Sequence, residues 1–259
     1  MARHPVLFLH GIPTNRRLWD GVTERMSDQF HCIAVDLPGF HDLTALAARL
    51  DEIRMERGVE KWHVVGHDAG CAIAVHYAHR FPERTGRLAL LSPCVLPEFK
   101  PFYLFEILRR PVIGEMMAPL INLLFWKIAM RRVAAGNRDV NRIVRDFQTP
   151  FGGLRGSWRL MSLLRWGDPA DVLAPIPALL QGIQAPALIF NGSKDPVVPD
   201  AFAKRVSDLL PDAELILLDS GHFLPLHAPR IIARELTRFF HSQDQPEAHA
   251  MVAAATSLR

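Results

Sequence analysis

The sequence predicts an α/β protein with a parallel sheet of six strands, on three observations. First, six short runs are apolar almost throughout, which is typical of strands covered on both faces. Second, stretches with helical spacing lie between most of these runs, and such alternation indicates crossover units. Third, the alternation breaks once, between about Leu96 and Leu180, where the spacing is helical throughout. The 259 residues suffice for one large domain of this kind.

Each predicted strand ends in a turn signal of glycine, proline, aspartate or serine. In chain order the runs are PVLFLHG, FHCIAVDLPG, KWHVVGHD, RLALLSP, PALIFNGSKDP and AELILLDSGH. The intervening helices are predicted at about 15–28, 42–57, 69–80, 200–210 and 228–241.

The single interruption predicts an inserted helical subdomain between the fourth and fifth strands. We expect residues 1–96 and 181–242 to form the core, residues 97–180 a helical cap, and residues 243–259 a flexible tail. From Pro97 to Asp168 there are twelve Lys and Arg against six Asp and Glu, so this segment carries +6 and the remainder −3. One interpretation of this positive charge is a solvated helical face. The other is a surface that attracts anionic substrates or lipids.

Composition narrows the functional class. A formal charge of only +3 does not imply nucleic-acid binding. The three cysteines (Cys32, Cys71 and Cys94) lack metal-ligand spacing, which is typical of a reducing compartment. The start, MARHPVLFLHG, has too short an apolar run for a signal peptide, and the longest apolar stretch, 111–130, contains Glu115 and Lys127. We expect a cytoplasmic protein without stable membrane insertion.

Three polar residues follow predicted strands at the edge where ligands bind in such sheets: Asp68, Asp195 and His222. Asp68 lies at the centre of Gly66-His67-Asp68-Ala69-Gly70, between a strand and a helix. Glycines two before and two after the central residue are typical of a nucleophile elbow, because the turn is strained and its flanking backbones come close. The carboxylate stands where serine is the commonest residue.

Five motifs in order carry a resemblance to a known family. They are HGIP (10–13), DLPGF (36–40), GHDAG (66–70), GSKDPVVP (192–199) and SGHFLPLHAP (220–229). Together they resemble the α/β-hydrolase superfamily, in the branch with an aspartate nucleophile that includes haloalkane dehalogenases and epoxide hydrolases. The resemblance implies an α/β-hydrolase fold whose parallel six-stranded sheet, in the order 2-1-3-4-5-6, carries an inserted helical cap.

The resemblance also implies a mechanism. Asp68 would be the nucleophile, His222 the base and Asp195 the acid that orients His222, with the backbone N–H groups of Ile12 and Ala69 as the oxyanion hole. A free aspartate, with a reference pKa of about 3.9, is ionised at neutral pH and needs no activating base. It would displace a leaving group from a saturated carbon, and water activated by His222 would hydrolyse the resulting ester. No cofactor and no metal are expected, and the partner is a small-molecule substrate.

The leaving group is less defined by the sequence. Epoxide hydrolases use two cap tyrosines or a tyrosine and a histidine, whereas only Tyr103 is available here. Dehalogenases need N–H donors for the halide, for which Trp126, Trp158 and Trp166 in the cap are candidates. We expect carbon–halogen or epoxide hydrolysis of a small apolar substrate. An ester or lactone hydrolase and a non-catalytic ligand-binding protein of this fold are the alternatives.

The sequence departs from the family at its start. We expect the antiparallel hairpin that usually precedes the first strand to be missing, since only five residues precede Val6. One edge of the sheet would then lack a partner strand. We expect the tail or a second copy of the chain to cover that edge, which makes a homo-oligomer a further expectation.

Overall fold

A parallel sheet of six strands forms the centre of the protein. The structure is a computed structural model that describes residues 3–100, 103–133, 140–165 and 167–242. The strands are β1 (His4–Leu9), β2 (Phe30–Val35), β3 (Trp62–His67), β4 (Thr85–Leu91), β5 (Ala187–Gly192) and β6 (Ala213–Leu218). Their spatial order is β2-β1-β3-β4-β5-β6, with every neighbouring pair parallel. The predicted fold class and strand order are confirmed.

The apolar runs are explained by helices on both faces of the sheet. Along β1, Val6 and Phe8 enter one apolar core while Leu7 and Leu9 enter the other, and all four are fully buried. Successive side chains of a strand point to opposite faces, so a strand between two helical layers has to be apolar at every position. The loops at the carboxyl ends of these strands are thereby held on a rigid base.

The helices that pack on the sheet begin and end close to the predicted boundaries. They are α1 (Asp20–Met26), α2 (Leu43–Glu56) and α3 (Gly70–Arg80) in the first half of the chain. The Asp42 side chain caps α2 by accepting the N–H of Ala45 at 2.8 Å, which explains where that helix begins.

The predicted insertion is helical throughout its described part. Between β4 and β5 lie α4 (Tyr103–Arg109), α5 (Ile113–Leu124), a π-helical turn (Phe125–Ala129), α6 (Met130–Val133), α7 (Val140–Gln148), α8 (Gly153–Leu164), α9 (Pro169–Leu173) and α10 (Ile176–Gln181). Helices α4, α5 and α8 pack on one another. The last helix, α10, packs instead against α3, with Ile176 and Leu180 in the core beneath the sheet.

The chain then completes the two helical layers. The remaining helices are α11 (Asp200–Leu209), α12 (Leu224–His227) and α13 (Pro229–His241). One layer holds α1 packed on α13, and the other holds α2, α3, α10 and α11.

Strand β2 lies at one edge of the sheet. Within the described residues it pairs only with β1, and β6 forms the opposite edge. The tail that was expected to cover the β2 edge, 243–259, lies outside the described residues, so its position and the expected homo-oligomer stay predictions. Of the described helices, none combines the length and the apolar character needed to cross a bilayer.

Candidate active site

Asp68 lies in a strained turn between β3 and α3. Its φ is 52°, a left-handed conformation that a non-glycine residue adopts only at a cost. A Cβ on Gly66 would meet the Cα of Cys71 at 2.8 Å, and one on Gly70 would meet the carbonyl oxygen of His10 at 2.5 Å. The two glycines are therefore required by close backbone contacts, and the turn directs the Asp68 carboxylate above the carboxyl end of β3.

The Asp68 carboxylate is buried and held through both oxygens. The backbone N–H of Ile12 donates to Oδ2 at 2.9 Å, and the thiol of Cys94 donates to Oδ1 at 2.9 Å. Burial and then the charge of Asp68 raise the pKa of Cys94 well above its usual value, so the sulfur carries its proton and acts as a donor. The carboxylate also stands at the N-terminus of α3, where the helix dipole favours negative charge.

His222 and Asp195 come from the loops after β6 and β5. The Nδ1 of His222 lies 2.8 Å from Asp195 Oδ2, and its Nε2 lies 3.7 Å from Asp68 Oδ1. Asp195 Oδ1 also accepts the N–H groups of Val197 at 2.7 Å and Val198 at 3.0 Å. The imidazole thus stands between the two carboxylates, hydrogen-bonded to one and facing the other.

The two members of this pair shift each other's pKa. Burial works against the charged form of His222, but the hydrogen bond and charge of Asp195, aided by the charge of Asp68, raise its pKa above the usual value. Burial also works against the charge on Asp195, yet the hydrogen bond and charge of His222 and two backbone N–H groups lower its pKa. The arrangement therefore stabilises an imidazolium between two carboxylates.

The His222 backbone is fixed from below by two buried residues. Its carbonyl oxygen lies 3.0 Å from His67 Nε2 and accepts the Ser92 hydroxyl at 3.2 Å. Burial, then the neighbouring His222, lowers the pKa of His67 to about 4, so that ring is neutral. A neutral ring can hold the carbonyl without adding charge to the site.

The loop after β1 is held by His10. Its Nε2 accepts the N–H of Leu37 at 2.9 Å, and its Nδ1 lies 2.9 Å from the carbonyl oxygen of Gly11. This bridge joins the loop after β1 to the loop after β2. The Ile12 N–H is thereby directed towards Asp68.

A mostly apolar cavity of about 780 Å³ opens above the carboxylate. Its polar groups are few, and its wall is formed by residues of both the core and the insertion. It is lined by Ile12, Pro13, Phe40, Leu43, Asp68, Ala69, Ala72, Cys94, Phe99, Phe105, Arg109, Leu124, Phe125, Ile128, Ala129, Met130, Val133, Leu164, Leu173, Lys194, Pro196, Val197, Gly221, His222, Phe223 and His227. Asp68 and His222 both line this cavity, so a small molecule bound there would contact both side chains in an apolar surrounding.

Of the residues predicted for the leaving group, the two whose side chains the structure describes lie away from this cavity. Trp126 is buried elsewhere in the cap, where its indole N–H donates to Asn122 Oδ1 at 2.8 Å. Trp158 is 46 % exposed on the outside of α8. Neither lines the described cavity. The side chain of Tyr103 and the whole of Trp166 lie outside the described residues.

Two contacts at the site were not found by sequence reasoning. Cys94 and Ser92 both follow β4, and they touch Asp68 and the His222 carbonyl respectively. Their place after a strand of the sheet is the only signal for them in the sequence. A serine and a cysteine in a proline turn otherwise look like ordinary loop residues.

Polar residues gathered from three strand ends, above a parallel sheet with one helical insertion, are characteristic of α/β-fold hydrolases. The chain belongs to the alpha/beta hydrolase fold family, whose model matches residues 4–229.

Relatives within this family differ in the bond that they break. A haloalkane dehalogenase from Bradyrhizobium diazoefficiens is 29% identical, over 85% of this chain and 81% of its own length. A pimeloyl-[acyl-carrier protein] methyl ester esterase from Nitrosomonas europaea is 26% identical, over 84% of this chain and 88% of its own. The crystal structure of the haloalkane dehalogenase DbeA from Bradyrhizobium elkani matches with a TM-score of 0.78 at 26% identity, covering 92% of this chain and 90% of that one. These comparisons support a hydrolase of this fold.

Proposed function

We propose that the protein hydrolyses a small apolar substrate through a covalent ester on Asp68. The observation that carries this proposal is the geometry of one carboxylate. Asp68 stands at the elbow, at the end of an apolar cavity, with His222 Nε2 3.7 Å from Oδ1 and Asp195 behind the imidazole.

The first step is a displacement at a saturated carbon. Oδ1 of Asp68 donates an electron pair to the substrate carbon, and the leaving group departs with the electrons of the bond that breaks. The Ile12 N–H on Oδ2 and the Cys94 thiol on Oδ1 hold the carboxylate in one orientation. A carboxylate is an effective nucleophile here because an alkyl ester is a stable intermediate.

The second step is hydrolysis of that ester. His222 removes a proton from water, and the hydroxide oxygen bonds to Cγ of Asp68. The negative charge that develops on Oδ2 is stabilised by the Ile12 N–H, with the N–H of Ala69 as the second donor. The tetrahedral centre collapses, and the alcohol leaves with the proton from His222. Asp68 is left as a carboxylic acid, which releases the remaining proton of the water to solvent and is again a carboxylate. Asp195 stabilises the imidazolium in between.

We infer that the bond broken is a carbon–halogen bond. Opening of an epoxide is the second possibility, because it also begins with attack of the carboxylate on a saturated carbon. The apolar cavity and the likeness to haloalkane dehalogenases support this choice. An ester hydrolase is the second candidate, which the similarity to the methyl ester esterase favours. It fits the nucleophile less well, because a carboxylate that attacks an ester carbonyl forms an anhydride of higher energy than an alkyl ester.

The insertion is proposed to be a cap over the core. The division assigns residues 1–96 and 181–242 to the core and residues 97–180 to the cap, and α10 is the part of the cap segment that packs on the core. Phe105, Leu124 and Phe125 of the insertion line the cavity above Asp68, so the cap shapes the substrate pocket.

Hydrolysis in ¹⁸O-labelled water tests the proposal. A panel of alkyl halides, epoxides and esters is offered to the wild type and to Asp68→Asn, with halide and acid release measured separately. An ester on Asp68 requires that ¹⁸O enters the Asp68 carboxylate, which mass spectrometry of its peptide detects. Turnover without label in that peptide rejects the covalent route, and tight binding without turnover supports a ligand-binding protein.

A further inference from the structure

The outer surface of the insertion is unusually apolar. Ten large hydrophobic side chains are exposed among the described residues, and eight of them lie between 112 and 158. Exposed apolar residues scattered singly are ordinary, whereas a cluster on one substructure marks an interaction surface.

Helix α5 carries a stripe of these residues. Ile113, Met116, Leu120 and Leu123 are exposed by 49%, 76%, 49% and 45%. Their spacing of three, four and three residues places them on one face of the helix. The opposite face, which includes Ala118, Ile121 and Asn122, is buried. The helix is therefore apolar on both sides, although only one side packs against the protein.

Helix α8 extends this surface. It runs antiparallel to α5, because Glu115 pairs with Arg165 and the Asn122 side chain donates to the Ser157 hydroxyl at 3.0 Å. Leu154 and Trp158 lie one turn apart on α8 and are exposed by 62% and 46%.

Basic residues accompany the apolar ones. Arg155 and Arg159 follow Leu154 and Trp158 directly in the sequence of α8 and are exposed, at a crevice that α8 forms with the core, and exposed Lys127 follows the α5 stripe. None of these three bases has an acidic partner among the described residues.

Three acids of the insertion are in contrast already paired. Glu106 pairs with Arg109, Glu115 with Arg165, and Asp146 with Arg17 of the core. The surface therefore presents apolar side chains with an uncompensated positive charge.

We propose that this surface binds peripherally to anionic membranes, with α5 lying in the plane of the interface. Apolar side chains that enter the acyl boundary, with bases that reach anionic headgroups, are the composition such binding requires. A second copy of the chain suits the surface less well, because a symmetric dimer through it would bring the same bases face to face.

The surface also reaches the cavity. Ile128 is 60% exposed and lines the wall of the cavity above Asp68. Leu124, at the end of α5, lines the same wall. A bilayer in contact with the stripe would therefore lie next to the cavity entrance, and an apolar substrate dissolved in lipid would have a short path to Asp68. This last step rests on the proposed function.

Vesicle sedimentation tests the proposal. The full chain is mixed with vesicles of phosphatidylcholine alone and of phosphatidylcholine with an equal part of phosphatidylglycerol, at low and at high salt. We expect binding to the anionic vesicles only, and weaker binding at high salt. The double variant Met116→Gln/Leu120→Gln should bind at least about tenfold more weakly. Arg155→Gln/Arg159→Gln should lose much of the salt dependence.

The matched control is Met55→Gln/Leu217→Gln, which removes two exposed apolar residues outside the insertion and should bind as the wild type does. Equal loss in this control, equal binding to both kinds of vesicle, or no sedimentation overturns the proposal. Light scattering without lipid tests whether a second copy of the chain covers this surface. If the wild type is a dimer and Met116→Gln/Leu120→Gln is a monomer, the surface is a dimer interface and the membrane proposal is wrong. Binding is measured with Asp68→Asn as well, so a failure of the proposed hydrolysis leaves this result intact.

Discussion

Replacement of His222 by glutamine should separate the two steps of the proposed reaction. Glutamine is close to histidine in length and keeps a polar group near Asp195, but it cannot remove a proton from water. The His222 Nε2 lies 3.7 Å from Asp68 Oδ1, too far for a direct hydrogen bond, so the imidazole does not take part in the displacement. We expect formation of the ester to continue and its hydrolysis to fail.

The expected size follows from the role of the base. General-base catalysis contributes about 10²- to 10⁴-fold, and removal of His222 should therefore raise the barrier of the second step by about 3 to 5 kcal/mol. His222 is buried, with 5% of its side chain exposed, so bulk water offers no substitute base at this point. The first step should change by less than about tenfold, because its nucleophile and its donors are untouched.

Single-turnover kinetics and intact-mass spectrometry measure both steps. His222→Gln should release one leaving group per chain in a burst, and peptide mapping should find the alkyl group on Asp68. His79→Gln, which changes an exposed histidine near the end of α3, is the control and should turn over like the wild type. A variant that shows no burst, or an adduct on another residue, would refute the two-step reasoning.

Three further predictions follow from the same contacts. Hydrolysis of the ester should decline as the pH falls through the pKa of His222, because only the neutral ring is a base. Asp195→Asn should move this decline to lower pH, because it removes the carboxylate whose hydrogen bond and charge raise the pKa of His222. Asp51→Ala should lower the free energy of unfolding by about 3 to 5 kcal/mol in urea titrations, since Arg54, whose Nε lies 2.7 Å from Asp51, would remain buried without its partner. Gly11→Ala should reduce turnover at least about a hundredfold without lowering the melting temperature much, because the new Cβ would collide with the carboxylate of the nucleophile.

Each of these three predictions has a control variant or an outcome that would contradict it. Glu52→Ala removes an exposed pair with Arg49 and should change the unfolding free energy by less than about 1 kcal/mol. A pH profile of Asp195→Asn that declines at the same pH as the wild type would contradict the cause assigned to the shift. Full turnover in Gly11→Ala would contradict the packing described around Asp68.

Much of the architecture was available from local sequence rules. The apolar runs predicted all six strands, because a strand between two helical layers must be apolar at each position. Their order in the sheet was implied by the resemblance to the α/β-hydrolase superfamily. The elbow was predicted because Gly66 and Gly70 mark a turn that only residues without a Cβ allow at those places. The positions of Asp68, Asp195 and His222 after their strands predicted that the three would meet, and the structure brings them together.

What the sequence could not supply were partners that lie far apart along the chain. The thiol of Cys94 reaches Asp68 across 26 positions, and Ser92 reaches the His222 carbonyl across 130. Trp126 looked like a donor for a leaving group until the fold placed Asn122 against its N–H.

The same distinction explains the surface of α5. The sequence showed only a long apolar stretch at 111–130, and the packing against α8 decided which face is buried and which is exposed. Backbone geometry and apolar periodicity act between near neighbours, so the sequence alone determined the strands, the turns and the order of the reactive residues. Side-chain pairing and exposure depend on how distant segments pack, and only the tertiary structure decided them.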